Sequence, residues 1–191
     1  MTVPPLLALV GAEPRAEDGT PLLAPTDLTL HPGDRLAVLG PNGAGKSSLL
    51  LALAGLLSVQ PGRREWRGTT LAEGEAGLRR LRGQVGLVFQ DPGDQILHPQ
   101  VRGEVSLGPA NQGLEGEALA GRVRAALGRV DLAERAESPV HQLSHGQKRL
   151  LNIASALATE PAVLLLDEPT AGLDPAGTAR LEPILAEHAN A

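Results

Sequence analysis

The 191-residue sequence has no cysteine and no tyrosine, and its only tryptophan and phenylalanine are Trp66 and Phe89. Without cysteine there is neither a disulfide framework nor a thiolate metal site, which fits a reducing cytosol. Dense Lys/Arg blocks are also missing: 17 basic residues against 22 acidic ones leave a net charge of −5. A free-standing nucleic-acid binder needs a basic face and is therefore disfavoured. The longest apolar runs, residues 49–57 broken by Gly55 and residues 162–166, fall well short of the ~20 residues that span a bilayer. The opening "MTVPPLLALVGAEPRAEDG" lacks a basic n-region, and Pro4-Pro5 would spoil a signal helix. A soluble chain is expected, without direct membrane insertion.

What is present is a globular composition, 42% hydrophobic and 20% charged, in which Leu, Ala and Val carry the apolar share. The length favours one domain with a substantial core, and no internal repeat or low-complexity linker divides it. "TDLTL" (26–30) alternates like a half-buried strand. "HPGD" (31–34) is turn chemistry, and "RLAVLG" (35–40) is a short apolar run of the kind found in buried parallel strands. The pattern predicts a helix over 45–57, a hairpin-like region around Trp66 and a strand over 84–89. Turns are expected over 91–114, where Pro and Gly abound, followed by a helix containing Ala118, Leu119, Val123, Ala126, Leu127 and Val130. A helix over 146–158, a strand over 162–167 and a last helix from Pro175 towards His188 complete the reading. Alternating strands and helices imply an α/β fold with a mainly parallel core sheet.

"GPNGAGKSS" (40–48) fits the phosphate-binding spacing G-x-x-x-x-G-K-[ST], after an expected strand and before an expected helix. Gly40, Gly43 and Gly45 let backbone N–H groups curl around phosphate oxygens, with Pro41, Asn42, Ala44 and Ser48 completing the loop, and the helix N-terminus adds positive potential. Lys46 reaches the β and γ phosphates, and the Ser47 hydroxyl is a Mg²⁺ ligand. The bland alternative is a glycine-rich turn with no ligand. "AVLLLDEPTAGLDP" (162–175) supplies a buried strand ending in Asp167, suited to the Mg²⁺ shell, with Glu168 next to it to orient a water against the γ phosphate. A solvated Asp-Glu pair capping a core strand is the alternative there.

Taken in order, "GPNGAGKSS", Gln90 in "VFQDP", "LSHGQ" (143–147) and "LLLDEPTAGLDP" resemble the Walker A, Q-loop, signature, Walker B and D-loop of ATP-binding cassette ATPases. The resemblance covers most of the chain from Thr26 onward. It implies a P-loop NTPase fold with an N-terminal antiparallel β subdomain and a helical subdomain at about 91–150. It also implies ATP and Mg²⁺ as ligands and two cassettes, identical or not, closing head to tail on two ATP molecules. Gln90 would join Ser47 and Asp167 at Mg²⁺. Ser144, His145, Gly146 and Gln147 would face the partner's nucleotide, and Asp174 would lie at the dimer interface. "FQDPGDQILHPQVRGEVSLGPANQGL" (89–114) further resembles energy-coupling-factor importers and their cobalt/nickel relatives. In those systems the segment faces a transmembrane coupling subunit, which works with a substrate-binding membrane component. A peripheral position on the cytoplasmic face of the membrane follows, with cobalt or nickel as cargo and vitamins as the main rival.

Several positions depart from the family pattern. His145 stands where glycine is usual, and Leu150 where arginine is usual, with Arg149 beside it. No aromatic precedes Trp66 to stack on adenine, leaving apolar side chains such as Val10 or Leu22 for the base. His141 and His145, four apart, form a rival metal pair, while His31, His98 and His188 read as surface residues. A strand with a switch histidine is expected beyond the last helix, roughly ten residues past where the sequence stops by loop and strand spacing alone. The chain therefore reads as truncated there, and a cassette that binds ATP but hydrolyses it poorly, or serves a regulatory role, is the alternative function.

Overall fold

A computed structural model describes residues 4–189; the first three residues of the N-terminal reading lie outside them. The chain divides into two compact units, one ending at Arg82 and one running from Gly83 to His188.

The first unit is built on an antiparallel sheet in the order β3 (Thr26–Leu30), β1 (Leu7–Ala12), β5 (Arg63–Trp66), β6 (Thr69–Thr70). Its central strand β1 (Leu7–Ala12) comes from the stretch that composition alone marked only as a failed signal peptide. Leu7, Ala8, Leu9 and Ala12 are all buried, and β1 pairs with β3 (Thr26–Leu30) on one side and β5 (Arg63–Trp66) on the other. The β1–β3 register slips between Leu9 and Ala12. Gly11 there takes φ +53, and its N–H donates to the Asp27 carboxylate at 2.6 Å. This is a β-bulge with a glycine in the left-handed region. β3 alternates half-buried and exposed residues as its sequence predicts. Around Trp66 the chain forms the expected hairpin, with β5 and β6 (Thr69–Thr70) joined by Arg67 and Gly68 at positive φ. A separate pair of short strands, β2 (Pro14–Arg15) and β4 (Ser58–Val59), is also antiparallel.

Helix α1 (Lys46–Leu53) is shorter than the 45–57 span predicted. It stops at Ala54, followed by Gly55 at φ +74. Its end is tied to the sheet by Arg64 of β5, which is fully buried. The guanidinium donates to the carbonyls of Ala52 (2.8 Å) and Leu57 (2.9 Å) and to the Glu73 carboxylate (2.7 Å). Burial pulls the Arg64 pKa down, opposed by Glu73, so this cation is stable only because its donors are matched. α2 (Glu75–Arg82) buries Leu78 and Leu81, and Arg82 returns to the Gly55 carbonyl. Replacing Arg64 by Met removes three matched bonds and strands two carbonyls and a carboxylate. A loss of about 3 kcal/mol in urea unfolding is expected. A loss under ~1 kcal/mol, as for surface pairs, would show the bonds to be dispensable.

One predicted element does not form. Residues 35–40 join no ladder, Leu36 is 55% exposed and Leu39 is 90% exposed. The physical reason is that an apolar run marks readiness for burial without supplying a neighbour. A parallel strand exists only beside another strand, and these residues are in no sheet among the described strands.

In the second unit, β7 (Val85–Val88) and β8 (Val163–Leu166) pair in parallel, Val85 opposite Val163 and Val88 opposite Leu166. Parallel pairing among the described strands is confined to these two. Their helical cover consists of α3 (Val101–Asn111), α4 (Gly116–Arg129), α5 (His145–Ala158) and α6 (Pro175–Ala189). The core gathers Val101, Val105, Val123, Leu127, Leu151, Ile153, Leu157 and Leu181. α3 corrects the expectation of turns over 91–114: only a 3-10 turn at Pro92–Asp94 and flanking loop precede a full helix. Its glycines and proline serve packing. A Cβ on Gly108 would sit 2.4 Å from the Thr159 methyl at the end of α5, so glycine permits a close approach of the two helices. Pro109 lies in the last turn with its ring buried. Tertiary burial of Val101 and Val105 thus overrides weak helix propensity. Among the described residues no helix is long and apolar enough to cross a membrane.

Candidate functional site

In the first unit, residues 40–48 run from the segment 35–40, which forms no strand, into α1. Gly43 and Gly45 take φ +79 and +87, a left-handed conformation open to glycine at little cost. Gly45 is also crowded, since a Cβ there would lie 2.3 Å from Leu23 Cδ2 and 3.4 Å from the Leu22 carbonyl oxygen. Gly45 caps α1 with no side-chain bond, so the first amides of the helix carry no capping side chain and point along the helix axis, where anions are favoured. Lys46 Nζ donates to the carbonyls of Gly40 and Pro41, each at 3.0 Å. That arrangement brings the ammonium over the loop. Ser47 is exposed. A loop with free helical amides, a lysine folded over it and an exposed hydroxyl suits a polyphosphate with a hard cation. Of the two apolar candidates for the base, Leu22 lies beside this loop and is 39% exposed, whereas Val10 belongs to β1.

In the second unit, the carboxyl ends of β7 and β8 bring the remaining acidic chemistry together. Asp167 follows β8, is 8% exposed, and its N–H donates to the Val88 carbonyl at 3.0 Å. Glu168 is next, at φ +46, a conformation that a non-glycine residue keeps only when its surroundings impose it. Its carboxylate accepts from Gln90 Nε2 at 3.0 Å, joining two motifs 78 residues apart. Gln90, Asp91, His145, Arg149, Asp167 and Gly172 line an open cleft of about 690 Å³.

Ser144 caps α5 by a reciprocal box: its hydroxyl accepts from the Gln147 N–H at 3.2 Å, and the Gln147 side chain accepts from the Ser144 N–H at 2.9 Å. The capping box explains why these two residue types stand three apart. His145 begins the helix, exposed, with its ring against Gly172: a Cβ on Gly172 would meet His145 Cδ2 at 2.6 Å. Gly146 approaches the same turn, with the Gly172 carbonyl oxygen 3.4 Å from a Cβ position there. Asp174 caps α6, its carboxylate accepting from the Gly177 N–H at 2.6 Å. His141 lies in a 3-10 turn, and no group of three or more His, Asp or Glu side chains able to hold a metal occurs among the described residues. His188, read as a surface residue, is half-buried on α6, and burial with nearby Arg129 lowers its pKa.

Four residues at this site were not singled out by motif reading for the contacts they make. Arg149 of α5 is 1% exposed and donates through Nη2 to the Gln90 carbonyl. Asn152, three residues on, donates to the Pro92 carbonyl at 3.0 Å. Gln95 bonds the end of β7 through the Phe89 N–H and the Leu87 carbonyl. Glu104 of α3, 5% exposed, accepts from the N–H groups of Leu97 and His98. For Arg149 and Asn152 the signal that would have found them is a polar residue on an otherwise apolar helical face, as in "RLLNIASALA"; Gln95, in a turn, carries no such signal.

The family model described as "ABC transporter" matches residues 23–171. The chain is 45% identical over 181 residues to the cobalt import ATP-binding protein CbiO of Rhodobacter capsulatus, covering 95% of this chain and 65% of that protein. It is 42% identical over 171 residues to the energy-coupling factor transporter ATP-binding protein EcfA of Methanocaldococcus jannaschii, covering 90% of this chain and 61% of that protein. The chain thus spans somewhat less than two thirds of the length of these relatives. Among solved structures, cbiO1 from Clostridium perfringens, part of the ABC transporter complex cbiONQ, superposes with a TM-score of 0.85 at 36% identity, covering 98% of this chain and 74% of that one. The dimeric post-hydrolysis structure of the ATP-binding cassette MJ0796 with ADP and Pi gives 0.82 at 25% identity, covering 94% and 81%. With the phosphate loop, the Gln90–Glu168 pair and the capped α5 in the same order as the matched motifs, the chain belongs to the ATP-binding cassette family of ABC transporter proteins.

Proposed function

We propose that this chain is the ATP-binding and ATP-hydrolysing subunit of an energy-coupling-factor type importer whose cargo is cobalt or nickel. The observation that carries the reading is the Gln90–Glu168 bond one residue beyond buried Asp167, a polar pair of the kind that orients a water for phosphoryl transfer. Residues 40–48 take the phosphates, with Lys46 neutralising charge as it develops on the terminal phosphoryl oxygens. Ser47 in the first unit, and Gln90 with Asp167 in the second, each carry oxygen donors of the kind that suits Mg²⁺, an ion that would supply charge neutralisation at the phosphates. Glu168 holds the attacking water and accepts its proton. Ser144, His145, Gly146 and Gln147 at the α5 N-terminus serve the nucleotide of a second cassette, and Asp174 lies near that interface.

The chain is one domain functionally, with its helical subdomain at about 91–150, and its membrane attachment is peripheral, on the cytoplasmic face, through a transmembrane coupling subunit. Support for the cargo comes from the likeness to a cobalt import protein together with the segment 89–114. The test is uptake: vesicles carrying the whole complex should accumulate radiolabelled cobalt or nickel when supplied with Mg-ATP. Uptake of a vitamin in place of the metals would reassign the cargo, and turnover without uptake of either would remove the importer role.

A further inference from the structure

Two polar side chains are buried on the packed face of α5, where leucine or methionine would fill the space without desolvating a charge or an amide. Arg149 is 1% exposed and Asn152 is 0% exposed. They stand three residues apart, so they share one side of the helix. Each reaches the same short segment: Arg149 Nη2 donates to the Gln90 carbonyl, and Asn152 Nδ2 donates to the Pro92 carbonyl at 3.0 Å. Arg149 Nε and Nη1 and Asn152 Oδ1 are buried with no hydrogen-bond partner among the described residues. A fork with most of its donors unmatched is a poor stabiliser of a core, which points to a use other than stability.

The segment these struts hold is anchored from its other end as well. Gln95 fastens it to β7, and Glu104 holds the N–H groups of Leu97 and His98 at 2.9 and 2.7 Å. With its backbone fixed on both sides, Gln90 extends its exposed side chain to the Glu168 carboxylate. Glu168 itself sits in a strained backbone conformation. The charge setting agrees: burial lowers the Arg149 pKa, opposed by Asp91, Glu168 and Asp167. α5 is also the helix whose first turn carries the Ser144–Gln147 box.

We infer that Arg149 is a positioning residue for Glu168, acting through the Gln90 backbone with Asn152 as a second strut, so that the placement of α5 sets the aim of the carboxylate. The inference rests on the proposed role of Glu168 in ATP hydrolysis. A helix that carries both the cap facing a second cassette's nucleotide and the struts under Gln90 links the arrival of that cassette to the readiness of the water-orienting group. Leucine at 150 does not weaken this link, because the adjacent arginine takes the inward place.

The test uses the full 19.8 kDa chain, a size suited to NMR, with Arg149→Met and Arg149→Lys compared with the unmodified protein. The side-chain amide signal of Gln90, identified by its loss in Gln90→Ala, reports the Gln90–Glu168 bond directly. In Arg149→Met this signal should move and its solvent exchange should rise, while kcat for Mg-ATP falls on the order of 10- to 100-fold and KM stays within about twofold. Arg149→Lys should fall between, since an ammonium keeps the charge without the planar fork. If the Met variant does not fold, the Lys variant carries the comparison. An unchanged Gln90 amide with unchanged kcat, or a loss confined to thermal stability, overturns the inference. Should the unmodified chain show no Mg-dependent turnover, the proposed function falls separately, and the Gln90 signal alone decides this one.

Discussion

Glu168→Gln should lower Mg-dependent ATP hydrolysis by roughly 10²- to 10⁴-fold, the range associated with loss of a positioned general base, while leaving ATP binding intact. The substitution is nearly isosteric, so the introduced carboxamide can still bond the Gln90 side chain, and the turn that places residue 168 at positive φ is retained. On the proposed role of Glu168, what disappears is the ability to accept a proton from the attacking water. Phosphate release measured on the assembled protein should therefore collapse while ATP-dependent association with a second cassette persists. Loss of binding in parallel with turnover would show that Glu168 holds the nucleotide instead, and unchanged turnover would remove it from the chemistry.

Lys46→Ala should have the other signature, weakening nucleotide binding as well as turnover. The ammonium lies over the phosphate loop, bonded to the carbonyls of Gly40 and Pro41, and it is the one side-chain cation within residues 40–48. A charge-assisted bond to phosphate contributes about 1.5–3 kcal/mol, so ATP affinity should drop roughly 10- to 100-fold. The fold should tolerate the change, because Lys46 is only partly buried and its partners are carbonyls that water can satisfy. Binding within about twofold of the unmodified chain would contradict a phosphate site at residues 40–48.

Much of the local geometry at the candidate site was legible in the sequence, for a physical reason. Phosphate binding depends on local backbone shape, and local shape is written in local sequence: Gly43 and Gly45 in the left-handed region, Lys46 opening a helix, and Ser144 with Gln147 forming a capping box. The strands at Thr26–Leu30, Val85–Val88 and Val163–Leu166 and the helix at His145–Ala158 follow from apolar periodicity in the same way. Elements that depend on distant partners were less legible. β1 was hidden because its sequence, "LALVGA", gains meaning only between β3 and β5. α3 was hidden because Gly103, Gly108 and Pro109 argue locally for turns, and its helix is secured by Val101 and Val105 against a core assembled from elsewhere. The run 35–40 errs in the opposite direction, carrying a strand's pattern while forming no ladder among the described strands. Arg149 and Asn152 illustrate the same limit within the site: their residue types are visible, but their targets, the Gln90 and Pro92 carbonyls, lie about sixty positions away.

The measurement that bears most directly on a nucleotide site in this chain is amide hydrogen exchange of the full protein, with and without Mg-ATP. Binding at the phosphate loop should slow exchange across residues 40–53, where amides without capping partners meet phosphate oxygens and α1 is stabilised behind them. The same protection should be absent in Lys46→Ala at equal ATP concentration. Exchange at residues 40–53 that does not change under Mg-ATP, while another segment becomes protected, would contradict the proposed site and with it the ATP-driven function.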